Sequence, residues 1–495
     1  MPMTYKNTFL IYILSLSSLC AQNEIDALRY SLFGNYNTAG ISALGGAGGL
    51  LSHSYNPASL AFFKGNQLLS ISLGNTNENT ESNYLGNQEI IEKIRPEPFL
   101  QNFGYVTQLN QIDNTLEWSP LNIAISYNRK QNFNRRHNID GYNEQSSIID
   151  QFLENAQGIV PQELYTSEWL AYETYLIDPI YNHDPISGDT IFTGEYSSSA
   201  ITGQNQNKRL SESGYVNEIE IALSKSYKDF IFLGASIGFT EIQFKQNILY
   251  IENEFDQKSG IQYFEFNEER IQGGSGINFK IGAVIKPTSF MRIGYAYHSK
   301  TYNELTDLYR RSMITESQAM GYQTQFWDEE YDFELLTPSK SIASLALINS
   351  FNRIRVLATF DYEMINYASS QLTSTYPLGH QYYYSFSQEN NNIENYYTKT
   401  SNKKAGLYLS FNNISIRGGY AIMGSPFKSN DLNNWSQEYV SGGIGYKINN
   451  YSFDIGLVQS MESQNEIIYY TSTDDQSTTI NRDNNTIILT CSYKF

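Results

Sequence analysis

The sequence predicts an all-β protein: a transmembrane antiparallel β-barrel of about 14 strands with an N-terminal hatch, or plug, inside its lumen. Segments of roughly ten residues alternate apolar and polar side chains from Gln67 onward. The links between them alternate short and long, and the final alternating strand ends in an aromatic residue, Phe495. On this reading residues 1–21 are a signal peptide, 22–66 the hatch and 67–495 the barrel.

Composition agrees. The chain of 495 residues carries 40 Tyr and 27 Phe, yet only 17% of it is charged, below the ~25% of typical globular domains. Apolar residues make up 40% and the mean hydropathy is −0.43, which excludes a bundle of membrane helices. Strands in which every second residue faces lipid fit these values. The net charge of −18 leaves no basic stripe for phosphates, so no nucleic-acid partner is expected. Solvated acidic loops account for it.

At the N-terminus, Lys6, the apolar run Phe9 to Leu16 and Cys20-Ala21 have the order of a secretory signal with its cleavage site. The run is far shorter than the ~20 residues of a spanning helix. Leu19 disfavours acylation of Cys20. Cleavage after Ala21 leaves Cys491 as the one cysteine, so no intrachain disulfide and no paired-cysteine metal site is expected. Next comes Gly40 to Phe63, small, Gly-rich and nearly uncharged. Its glycines, Gly45 and Gly46 among them, suit tight bends packed against other backbone. Asn56-Pro57 then imposes an extended or turn geometry.

The first strand, Gln67 to Asn75, sets Leu69, Ile71 and Leu73 against Ser70, Ser72 and Gly74. Leu100 to Asn110, Leu121 to Phe133 and Tyr215 to Tyr227 follow. In the last of these Ile219, Ile221 and Leu223 oppose Glu218, Glu220 and Ser224, as expected where one face meets lipid and the other a wet lumen. The pattern continues through Phe230 to Tyr250, Tyr263 to Lys286, Phe290 to Tyr302, Ser339 to Ile348 and Arg353 to Leu372. Ser401 to Phe411, Ile414 to Met423, Glu438 to Ile448, Tyr451 to Tyr470 and Asn485 to Phe495 complete it. All 12 prolines fall outside these segments, where none removes a ladder hydrogen bond.

Lys228-Asp229, Pro287 to Ser289, Asn349 to Asn352, Asn412-Asn413 and Asn449-Asn450 read as short turns. Asn134 to Gly214, Asn303 to Pro338, Thr373 to Thr400, Gly424 to Gln437 and Glu462 to Asn484 read as long loops. Short periplasmic turns opposite long extracellular loops are the layout of an outer-membrane barrel. The longest loop, 134–214, is expected to be partly helical: Ser147 to Ala156 collects Ile148, Ile149, Phe152 and Leu153 on one face behind a Ser146 or Ser147 cap. Glu163 to Ile177 is a second amphipathic stretch. Their apolar faces suit packing within a loop cap, or else a landing platform at the barrel mouth. In the final strand Ile487, Leu489, Cys491, Tyr493 and Phe495 share a face, a pattern resembling the C-terminal signal that outer-membrane barrels present to the β-barrel assembly machinery.

Several stretches resemble the FadL-type outer-membrane transporters, particularly the versions common in Bacteroidetes. They are Asp26 to Ser31, Gly45-Gly46-Ala47, Asn56-Pro57-Ala58, Gly276 to Gly282 with Lys286-Pro287-Thr288, and Arg292 to His298. Asp361-Tyr362-Glu363 with Asn366-Tyr367, and Gly418 to Ala421 with Gly424-Ser425-Pro426, extend the likeness. The resemblance implies a fourteen-stranded barrel in the bacterial outer membrane that passes hydrophobic small molecules, such as long-chain fatty acids, by diffusion. It implies a ligand bound near the extracellular mouth, a hatch that shifts, and exit through a kink in the wall. In that family Asn-Pro-Ala lies in the hatch, so Asn56, Pro57 and Ala58, with Gly45 and Gly46, are the candidate gate. Expected partners are a hydrophobic ligand, outer-membrane lipid and the assembly machinery, around a monomer; no local motif carries ligand-binding positions.

Other chemistry is weaker. Gly45 to Gly49 lacks the Gly-Lys-Ser/Thr ending of a phosphate loop, no Gly-x-Ser-x-Gly elbow marks a hydrolase, and the five histidines have no metal-site spacing. The chain is therefore expected to be no enzyme, with no cofactor and no metal. Some relatives carry haemin-receptor labels, so His53 or His298 as an iron ligand is a minor alternative. Glu218, Glu220, Lys280, Arg292, Arg355, Asp361 and Glu363 are expected to form a solvated ion-pair network holding the hatch. The competing function is a surface receptor or adhesin on a closed barrel, marked by a lumen filled with paired charges, where a transporter would have an apolar stripe. A general porin is disfavoured by the plug.

Overall fold

The computed structural model describes residues 24–34, 37–86, 90–93, 97–109, 117–183, 189–428, 435–472 and 475–495. The signal peptide expected at 1–21 lies outside them, as does part of the Gly424 to Gln437 link. Fourteen antiparallel strands close into a barrel. They are Gln67–Asn83, Phe99–Gln108, Asn122–Asn132, Gln204–Tyr227, Ile231–Asn253, Ile261–Ile285 and Met291–His298. The circle continues with Lys340–Phe351, Ile354–Asn366, Lys399–Phe411, Ile414–Met423, Ser436–Ile448, Tyr451–Tyr470 and Asp475–Lys494. Each pairs with its neighbours, and the last closes on the first in register from Leu68↔Lys494 to Asn83↔Thr479.

Closure follows from the solvent. Lipid offers no hydrogen-bonding partner, so every backbone group at membrane depth must pair within the wall. Among the described residues no helix is long and apolar enough to cross a membrane; the strands do so. Leu69, Ile71, Leu73, Ile219, Ile221 and Leu223 are exposed on the outside, while Ser72, Glu218 and Glu220 are buried toward the lumen. This inversion of the soluble pattern identifies the outer surface as lipid-facing.

The strands extend beyond their expected ends wherever the wall rises out of the membrane. The segment expected as a loop from Asn303 to Pro338 is a β-hairpin, Tyr302–Ser317 and Gly321–Leu336. It pairs with the upper part of Ile261–Ile285. The expected loop Glu462 to Asn484 is likewise a continuation of the last two strands, and Arg135–Asn143 pairs with the start of Gln204–Tyr227. Above the membrane the outward face meets water and part of the inward face is apolar, as at Met313 and Phe333, so the apolar-out, polar-in alternation that marks a strand at lipid depth fades. In the other direction, Phe290 to Tyr302 is strand only to His298. Arg353 to Leu372 breaks at Asn366 into a 3-10 turn, Tyr367–Ser369.

The periplasmic turns are tight. Lys228 and Asp229 both have positive φ, 52° and 50°, which matches the twist of a two-residue hairpin. At the other end Ser147 caps the helix Ile148–Ala156 in a capping box with Asp150, and a second helix spans Thr166–Glu173. Their apolar residues Ile149, Phe152 and Leu170 pack on Phe264, Met313 and Tyr469. They thus cap the mouth rather than presenting an apolar platform to solvent.

The wall is irregular at several points, among them Ser72/Leu73 and Ile467/Tyr469, and most markedly where the second strand meets the third. The ladder between the second and third strands ends at Asn102↔Asn128. The third strand then bulges between Arg129 and Gln131 against the fourth. Gln101 bridges the break, donating to the Arg129 carbonyl at 2.9 Å.

Phe495 ends the closing strand. Its backbone N–H donates to the Gln67 carbonyl at 3.0 Å, and its ring meets Tyr493 at 4.7 Å. Deleting Phe495 is expected to lower the amount of assembled, heat-modifiable barrel in outer-membrane fractions several-fold without changing the fold of the remainder. Unchanged yield would remove Ile487, Leu489, Cys491, Tyr493 and Phe495 as an assembly signal.

Candidate functional site

The hatch is a chain of short turns. A helical turn, Ala39–Ser42, leads into Gly45 and Gly46, whose φ of 67° and 71° place them in the left-handed region that favours glycine. Asn56 then caps the 3-10 helix Pro57–Phe62, accepting from the Ala58 N–H at 3.0 Å. Pro57 suits the first helical position because its missing N–H would have been unpaired there.

Two patches of the inner wall lack side chains, and the hatch sits on them. A Cβ at Gly282 would lie 1.9 Å from Asn56 Oδ1, and one at Gly234 would lie 2.3 Å from the Pro57 carbonyl carbon. Gly234 and Gly282 face each other across adjacent strands. On the opposite side a Cβ at Gly419 would lie 2.0 Å from the Gly45 nitrogen. At Gly234 and Gly419 backbone therefore meets backbone, and at Gly282 the wall admits the Asn56 side chain, approaches that only glycine permits. The sequence reading found the hatch glycines but missed these wall positions; a glycine at a lumen-facing position of a strand was their signal.

Hydrogen bonds fasten the hatch around the barrel. Gly49 N–H donates to Asp361 Oδ2 at 2.8 Å, Gly45 N–H to Ser441 Oγ at 2.9 Å and Ala39 N–H to Thr490 Oγ1 at 2.8 Å. Asn122 Nδ2 donates to the carbonyls of Leu60 and Phe63 at 2.9 and 3.1 Å. His298 Nε2 donates to the Tyr55 carbonyl at 2.8 Å, and His53 Nε2 lies 3.0 Å from Ser126 Oγ. Both candidate iron ligands are thus engaged in holding the hatch. Burial holds the His53 imidazole below its ordinary pKa, so it sits in the hatch neutral.

Where the hatch meets the wall the lumen has an ionic zone, lined also by Ser54 and Tyr55 of the hatch, and an apolar zone that includes Leu28 and Tyr30. A cavity of about 90 Å³ is lined by Lys130, Lys280, Lys340, Lys404, Glu218 and Glu363. Lys280 and Lys130 flank Glu218 at 2.7 and 2.8 Å, while Lys404 and Lys340 flank Glu363 at 2.7 and 3.9 Å. Glu220 adds a second carboxylate on Lys280 at 3.0 Å. Of the network expected from sequence, Asp361 accepts from the Gly49 N–H and makes no ion pair among the described residues. Glu218, Glu220, Lys280 and Glu363 do pair, with Lys130, Lys340 and Lys404 as partners, in a network that is buried rather than solvated. Arg355 does not belong to it: it is exposed near the Asn352 turn and makes no ion pair among the described residues. Arg292 stacks on the Phe62 ring at 4.2 Å instead.

Ile365 and Tyr367 line the cavity and also join an apolar cluster with Tyr30, Phe133, Phe244 and Phe333. That cluster surrounds the helix Glu24–Arg29. Arg270 clamps the helix, reaching Asp26 and Asp307 at 2.5 Å each.

No family model and no curated protein matches the chain. Among solved structures it is similar to the toluene transporter TodX of Pseudomonas putida, at 13% identity and a TM-score of 0.51, covering 93% of this chain and 99% of that one. It is also similar to a FadL homologue from Pseudomonas aeruginosa, at 11% identity and a TM-score of 0.54, covering 94% and 100%. The chain has the FadL-type outer-membrane barrel fold.

The glycine slots are testable by filling one. Gly282→Val is expected to leave an assembled barrel whose hatch no longer seats, read as a rise in single-channel conductance and protease cleavage within 22–66. Asn56→Ala loses a cap of about 1 kcal/mol and should give a smaller rise. Conductance unchanged in both would mean that this contact does not hold the hatch.

Proposed function

We propose that the protein is a passive outer-membrane transporter for hydrophobic small molecules bearing an acidic head group, long-chain fatty acids among them, with the hatch as its gate. The observation that carries this reading is the order of environments along the lumen. An aromatic and aliphatic layer adjoins a cavity in which Glu218 and Glu363 are each bracketed by two lysines. An alkyl chain lowers its free energy in the first, at roughly 25 cal/mol per Å² buried. A carboxylate finds ammonium partners in the second. Lys340, 3.9 Å from its glutamate, is the ammonium least committed to an existing pair.

Gating follows from the hatch contacts. A ligand carboxylate that draws Lys340 or Lys404 from Glu363 perturbs the strand whose Asp361 accepts from Gly49. Asn56, Pro57, Ala58, Gly45 and Gly46 are the residues whose seat then opens. The wall break bridged by Gln101 and Arg129 is the exit that this reading favours, because separating strands there breaks no ladder bonds beyond Asn102↔Asn128.

One observation favours a second reading, a receptor or adhesin on a permanently closed barrel: the lumen at hatch level is filled by buried ion pairs. Uptake separates the two. Cells expressing the protein should accumulate a labelled long-chain fatty acid faster than cells lacking it. Lys340→Met should weaken that uptake about tenfold, the scale of one charge-assisted hydrogen bond, while leaving uptake of a neutral hydrocarbon unchanged. Equal fatty-acid uptake with and without the protein would favour the closed barrel. Equal loss for both ligands in Lys340→Met would remove the acidic-head-group specificity.

A further inference from the structure

The lipid-facing wall carries a groove that transport through the lumen does not use. It is a depression of about 450 Å³ on the strands Met291–His298 through Ile414–Met423, and no hatch residue lines it. Strand register explains its shape. On one rung Ala343, Tyr362, Lys403 and Ile422 face one another in turn; on the next lie Leu345, Phe360, Ala405 and Tyr420. Ala405 sits between two aromatic residues and Ala343 beside a third, so short side chains form a floor between ridges. Tyr362, Phe360, Tyr420 and Ile422 are 42, 48, 41 and 43% exposed, which places the groove on the outer surface.

Lys403 stands at the rim. It lies on Lys399–Phe411, nine residues before the Asn412 turn. At ~3.3 Å per residue and a tilt of ~40°, that places it roughly 23 Å above the periplasmic end, near the top of a ~25 Å apolar band. Among the described residues its ammonium makes no ion pair and no hydrogen bond, the backbone alone being paired in the ladder. Glu438, beyond Ile422 on the same rung, accepts instead from the Tyr420 hydroxyl at 2.6 Å. An unpartnered ammonium thus sits over a groove at the height of the outer head groups, on a protein of net charge −18.

We propose that this groove holds an acyl chain of a phosphate-bearing lipid of the outer leaflet, with the Lys403 ammonium on its phosphate. The aliphatic stem of Lys403 lies along the wall while its charge reaches the head-group layer. The alanines supply the depth that a smooth wall lacks, so the chain contacts ridges on both sides as well as the floor. Charge and shape then select one lipid position out of the surrounding annulus. The site depends on the barrel and not on what passes through it.

The test uses the full protein purified in detergent, titrated with phosphatidylglycerol or with diacylglycerol of the same chains, with bound lipid counted by native mass spectrometry. Wild type is expected to retain one phosphatidylglycerol and little diacylglycerol. Lys403→Gln should lower retention about fivefold, the scale of one lysine at a charged membrane surface. Ala405→Phe, which fills the floor from outside, should lower it while heat-modifiable migration confirms an intact barrel. Lys447→Gln, at the periplasmic rim, should leave it unchanged. Wild-type retention in Lys403→Gln or in Ala405→Phe, retention of diacylglycerol equal to that of phosphatidylglycerol, or the same loss in Lys447→Gln would each overturn the proposal.

Discussion

Every backbone hydrogen bond at lipid depth must be made inside the wall, and this constraint shapes the rest of the molecule. It requires the pairing of Gln67–Asn83 with Asp475–Lys494, the two ends of a long chain, before any strand can remain in the membrane. Once the ring closes, strand pleat sends alternate residues to lipid and to lumen. Ile219 and Ile221 then face outward while Glu218 and Glu220 are enclosed. Those enclosed carboxylates need partners, because an unpaired buried charge is strongly unfavourable, and Lys130 reaches Glu218 from the adjacent strand while Lys280 reaches both from two strands away.

The hatch solves a second problem set by closure. A ring of fourteen strands encloses more space than its own side chains fill, and the N-terminal segment occupies it. Its seat is built from absent side chains as much as from present ones. Gly234 on one side and Gly419 on the other let backbone approach backbone, Gly282 makes room for the Asn56 side chain, and Asp361, Ser441, Thr490 and Asn122 supply directed hydrogen bonds. Such a seat combines close fit with a modest number of polar ties. Between the N-terminal segment and the wall, lysines outnumber glutamates around a cavity that adjoins an apolar cluster including Leu28 and Tyr30 of the same segment.

Much of this was legible beforehand, and the exceptions have common causes. Fourteen strands could be counted because lipid on one side and water on the other impose a contrast at every second residue. The same contrast disappears above the membrane, which is why the hairpin Tyr302–Ser317 and Gly321–Leu336 reads as a loop. Arg355 was grouped with the lumen charges because residue type does not reveal where a strand turns; it sits beside Asn352 and is exposed. Glu363 and Asp361, by contrast, alternate with Tyr362 at lipid depth, so their inward direction followed from the pleat.

By itself, then, the sequence determined the class of the molecule: a lipid-facing barrel, its strand number, the side of each turn, and a small, glycine-bent segment ahead of it. These depend on local periodicity and backbone preference, which neighbouring residues carry. Only the tertiary structure decided what faces what across the lumen. That Asn56 lies over Gly282, that Lys340 and Lys404 share Glu363, and that Ala405 lies between Phe360 and Tyr420 all depend on register between strands far apart in the chain. A shift of one residue would turn each of these side chains to the other face. Register is set by closing the ring and by the seat of the hatch, and no local stretch of sequence records it.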